Sequence, residues 1–113
     1  MSGFHAAALR IELHINESQS LKAKRAVLRP LISRLEQMRV AVSEVGHQDA
    51  WQFATIGVAV VAPQRGRLDD IIESVKRTLY ADPRLEVVEV APGRLEVRVV
   101  GDGFARYMVR YLV

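Results

Sequence analysis

The stretch LRIELHI, residues 9–15, constrains the fold more than any other part of the chain. Leu9, Ile11, Leu13 and Ile15 alternate with Arg10, Glu12 and His14. A period of two places the apolar set on one face, so the segment from about Phe4 to Ile15 reads as a strand with one buried side. The next apolar residues change period. Leu21, Leu28, Leu31, Leu35 and Met38 recur at helical spacing, with Val27 and Ile32 widening the stripe. Ser18 or Ser20 stands where an N-cap is needed. Pro30 falls inside this helix and is expected to bend it near Ala26. A chain that switches from period two to period 3.6 and back must layer helices on a sheet.

The rest of the chain repeats the switch. Val40 to Val45 reads as a strand, Gly46 to Ala50 as a turn and Trp51 to Ala62 as a longer strand. Pro63 to Gly66 interrupts. Leu68, Ile71, Ile72, Val75 and Leu79 mark a second amphipathic helix, closed by Asp82-Pro83. Leu85, Val87 and Val90 give a fourth strand. The order β-α-β-β-α-β predicts an α+β, ferredoxin-like sandwich over residues 1–92: an antiparallel sheet with two helices on one face. Residues 93–113 read as an extension, packed on the same domain or on a partner subunit. In it Arg94 to Val100 forms a strand, and GDGFARYMVRYLV a short helix with Phe104, Met108, Tyr111 and Leu112 on one side.

With 113 residues the chain fits one domain. It has no cysteine, which excludes a disulfide framework and thiolate chemistry. No apolar run reaches membrane-span length, and the N-terminus lacks the pattern of a secretion signal, so a cytoplasmic protein is expected. A net charge of +3 permits an anionic partner without requiring one.

Lys22, Lys24, Arg25 and Arg29 cluster at the start of the first helix, with Lys22, Arg25 and Arg29 on one face. Such a row can follow a phosphate backbone, or simply be solvated. No aromatics are interleaved, which argues against base stacking there. On the sheet face away from the helices, Glu12, His14, Glu44, His47 and Asp49 can gather. They are candidates for acid–base or ligand chemistry, although their spacing matches no metal motif. Trp51 and Phe53 would add apolar area to the same face, as interface residues do. Gly57 in mid-strand leaves room for the close approach of another group. No catalytic nucleophile, phosphate loop or cofactor motif stands out.

Three segments carry a resemblance: LRIELHI, SLKAKRAVLRPL and VSEVGHQDAWQFATIGVAVV. Together they resemble the YlxP-like family, a small bacterial family of unknown function, through the pattern E-V-x-H-Q-D-x-W-Q-x-A-T-x-G-V-A-V. Here that reads Glu44, Val45, His47, Gln48, Asp49, Trp51, Gln52, Ala54, Thr55, Gly57, Val58, Ala59 and Val60. The resemblance implies the same ferredoxin-like fold. It also implies a gene neighbourhood of translation initiation and ribosome-binding factors. The expectation is therefore a non-enzymatic accessory protein associated with RNA or a ribosomal subunit, acting in translation or ribosome maturation. It would be a homodimer through the open sheet face or the tail. The alternatives are a small-molecule or metal-binding enzyme using the open face, and a dimeric protein-interaction module. The tail piece GFARYMVRYLV is similar to a short segment of tRNA pseudouridine synthases, but the catalytic R-T-D-x-G motif of those enzymes has no counterpart in the sequence.

Overall fold

The alternating run becomes β1, His5–Ile15, with Leu9, Ile11, Leu13 and Ile15 buried. Then α1, Leu21–Glu36, starts at Ser20, whose hydroxyl accepts a hydrogen bond from the Ala23 N–H at 3.0 Å. This satisfies one of the donors that a helix start leaves open. Leu28, Leu31 and Leu35 are buried, while Pro30 lies inside the helix on its exposed side. The chain continues as β2, Ala41–Gly46; β3, Phe53–Ala62; α2, Arg65–Ala81; and β4, Leu85–Pro92. The structure, a computed structural model, describes residues 3–101 and 104–111, with side chains as far as Arg94.

The sheet order is β2-β3-β1-β4, with every pair antiparallel. Two helices and this order make the fold ferredoxin-like, as the pattern predicts. In the register Ile11 lies opposite Ile56 on one side and Val90 on the other. Paired residues share a face, so Leu13, Ile56 and Val60 form the floor on which Leu31, Val75 and Leu79 pack. Fully burying each such side chain contributes about 1.5–3 kcal/mol. Among the described residues no helix lies over the opposite face of the sheet.

A charged knot closes the corner after α2. Asp82, 5% exposed, accepts from the Arg84 N–H at 3.0 Å and from Arg84 Nε at 3.1 Å on one oxygen. Its other oxygen accepts from Arg84 Nη2 at 3.0 Å and lies 3.7 Å from Arg34 Nη2 of α1. The hydrogen bonds from Arg84 hold the carboxyl below the usual aspartate range, against the opposing effect of burial.

Two boundaries differ from the sequence expectation. Trp51 and Gln52 precede β3 as a bend rather than opening the strand. The expected tail helix is a strand: β5, Arg94–Gly101, pairs antiparallel with β6, Phe104–Tyr111, in a separate two-stranded sheet. Gly101 pairs with Phe104 at the end of the ladder. Leu112, the last member of the expected helix, lies outside the described residues. The hairpin is joined to the body through Gly93, whose N–H donates to the Ala8 carbonyl at 2.8 Å. A Cβ on Gly93 would stand 3.1 Å from the Ala8 carbonyl carbon, so a side chain there would have to push the β1 backbone aside by a few tenths of an ångström.

Candidate functional site

The loop between β2 and β3 is shaped by one extra residue. Glu44 pairs with Ile56, but Gly46 pairs with Thr55, leaving Val45 as a β-bulge. The bulge turns the chain so that the backbone after it faces the helices while the next side chain reaches the open face. His47 follows with φ of 57°, a left-handed conformation that costs a non-glycine residue about 1–2 kcal/mol. It accepts the Ala50 N–H at 3.0 Å, closing a turn.

A buried lysine holds this turn. Lys24 is 2% exposed, and its ammonium donates to the carbonyl oxygens of His47 at 2.6 Å and Ala50 at 2.8 Å. It also lies 2.8 Å from Glu44 Oε2, an ion pair that provides the sole polar partner of that buried oxygen among the described residues. Lys24 is therefore not one of the solvent-facing cations of α1. Its position explains why: it sits in the apolar stripe itself, between Leu21 and Leu28. Glu44 likewise does not join the open-face cluster. It pairs with core-facing Ile56 and points to the helix side, because β2 puts Val42 and Glu44 on the same face.

On the open face Glu12 is the central acceptor. Its Oε2 receives the Thr55 hydroxyl at 2.7 Å, and its Oε1 lies 3.0 Å from Arg10 Nη2. His47 Nε2 stands 3.7 Å from Glu12 Oε2, too far for a hydrogen bond but close enough for charge attraction when protonated. His14 Nδ1 lies 3.9 Å from Glu86 Oε2. The Phe53 ring sits between the two imidazoles, with centroids 5.1 Å from His14 and 6.1 Å from His47. Thr55 is wholly buried beneath this network. Asp49, grouped with these residues in the sequence reading, is exposed and its side chain makes no polar contact among the described residues. Also among the described residues, no three histidine, aspartate or glutamate side chains converge as a metal site would need. Trp51 and Phe53 remain 55% and 47% exposed.

Lys22, Arg25 and Arg29 are exposed, and none forms an ion pair among the described residues. No helix among the described residues is long and apolar enough to cross a membrane.

The sequence matches the family described as a protein of unknown function (DUF503) across residues 6–91. The chain belongs to the DUF503 family. It is 34% identical over 76 residues to the uncharacterized protein YlxP of Bacillus subtilis strain 168, an alignment that covers 66% of this chain and 83% of that protein. The DUF503 match takes in β1 through nearly all of β4, and with them Glu12, Lys24, Glu44 and the turn at residues 47–50. It ends before β5 and β6, which lie outside the DUF503 region.

The role of Lys24 and the Asp82–Arg84 knot escaped the sequence reading. Both left a signal. A lysine at the apolar position of a helical stripe and a glutamate at the core-facing position of a strand form a complementary pair. Asp82, two residues before Arg84, was legible as a helix stop and also as a local ion pair.

Proposed function

We propose that this protein is a non-enzymatic accessory protein that binds RNA on the ribosome through the exposed face of α1. One observation carries the reading. Lys22, Arg25 and Arg29 form a row spaced three and four residues apart, all exposed and without a carboxylate partner among the described residues. Surface cations left unpaired in this way are available to phosphates, whose counterions are released on binding. With three phosphates neutralised, affinity should fall about 20- to 40-fold between 50 and 200 mM salt.

The test is sedimentation of the protein with ribosomal subunits on sucrose gradients at low and high salt. Co-migration at low salt, lost at high salt and lost in the Lys22→Glu, Arg25→Glu, Arg29→Glu variant, supports the reading. A protein that stays at the top of both gradients, or a variant that still co-migrates, overturns it.

A further inference from the structure

Helix α1 supplies cations but no aromatic side chain. The fold brings one to the start of that helix from another segment. Trp51, the one tryptophan of the chain, stands between two residues that are both tied to the start of α1. On one side the Ala50 carbonyl accepts from the Lys24 ammonium at 2.8 Å. On the other the Gln52 side-chain amide donates to the Ser18 carbonyl at 3.4 Å, two residues before the Ser20 cap. The Gln52 carbonyl accepts from the Ile15 N–H at 2.7 Å. One lysine side chain therefore separates the α1 backbone from the turn that carries Trp51. Lys22 and Arg25, both exposed, flank Lys24 in the sequence, so the ring and the first cations of the row share one end of the molecule.

The ring is held in place and left uncovered. Trp51 is 55% exposed. Among the described residues it stacks on no other ring, and its indole N–H has no acceptor. It borders a shallow recess of about 360 Å³ that also takes in Asp49 and Phe53. A tryptophan fixed in this way offers a large flat contact at low cost in conformational entropy. Every nucleobase has a face that such a plane can stack on. The exposed Asp49 carboxylate in the same recess repels phosphate, so a base suits the recess while the backbone suits the α1 row. Bases inside a duplex are already stacked on one another, and only an unpaired base is free to meet the ring.

We propose that Trp51 is a stacking platform for an unpaired base of single-stranded RNA whose phosphates lie along Lys22, Arg25 and Arg29. The proposal rests on the RNA reading of α1 and narrows it to single strands.

Trp51 reports on its own contacts, because no other tryptophan contributes to the emission. The full-length chain is titrated at low salt with a short single-stranded oligoribonucleotide of mixed sequence, and with the same strand annealed to its complement. Binding is followed separately by the anisotropy of labelled RNA. The single strand should quench the tryptophan emission as it binds, and the duplex should leave it unchanged. Trp51→Ala, its fold confirmed by circular dichroism, should weaken single-strand binding about 5- to 150-fold and leave the salt dependence as it was. Trp51→Phe, which keeps a ring, should restore most of the affinity. Binding that depends on Lys22, Arg25 and Arg29 but spares the emission and survives Trp51→Ala overturns the platform and leaves the α1 reading standing. Emission that shifts with protein concentration before RNA is added puts a second copy on the ring and also overturns it. No binding of either RNA overturns it too, and sedimentation with ribosomal subunits then decides the α1 reading by itself.

Discussion

At Lys24 a cation occupies a position that the helix period reserves for an apolar side chain. It remains there because three acceptors, two carbonyls and one carboxylate, replace its water shell. Lys24→Met should destabilise the protein by about 2–3 kcal/mol in urea titration, toward the low end for a broken buried pair because Glu44 keeps some exposure. Adding Glu44→Met should recover part of that loss, since the stranded carboxylate is then gone. Asp82 makes a second prediction at this scale. Its carboxyl titrates below the ordinary aspartate value in the folded state, chiefly through the Arg84 hydrogen bonds. Its stabilising contribution is therefore complete above the unfolded value of about 3.9 and is lost as pH falls through the lower folded value. Melting temperatures should drop below about pH 4, and Asp82→Asn should lower stability at neutral pH while flattening that acid limb. Single residues of this kind were the least legible part of the sequence. Composition and period assign a lysine to solvent and a glutamate to a cluster of like residues. What decides their real position is a contact between segments 20 residues apart in the chain.

Elements were read more securely, because each rests on many side chains. Leu9 to Ile15 and Leu28 to Leu35 commit to strand and helix through repeated burial on one face. Ser20→Ala should cost about 1 kcal/mol by removing the cap. Pro30→Ala should raise stability by about 1 kcal/mol or more, since a proline in a helix interior removes a hydrogen bond on the exposed side. Both are measurable by thermal denaturation followed by circular dichroism. The tail shows why short segments are harder. Phe104, Met108 and Tyr111 fit a helical stripe, yet Phe104–Tyr111 pairs as a strand with Arg94–Gly101. Strand pairing prevailed over a period supported by few residues. The bulge at Val45 could not be read at all, because it is a property of the pairing and not of either strand.

For the whole molecule, the helix layer carries both signs of charge, with exposed Lys22, Arg25 and Arg29 on α1 and exposed Asp69, Asp70 and Glu73 on α2. Unpaired cations lie on α1, and exposed Glu86 and Glu89 lie on β4. Reversing Lys22, Arg25 and Arg29 should therefore leave the sedimenting mass unchanged while abolishing ribosome association. The two layers are still mechanically joined at one place. The Lys24 ammonium binds the first turns of α1 to the loop at residues 47–50, and neither can open without stranding a charge. The Ala50 amide, bonded only within its turn, should thus exchange with deuterium no faster than the helix detaches, a cooperative opening far rarer than loop motion. An exposed loop in this protein keeps the clock of its core.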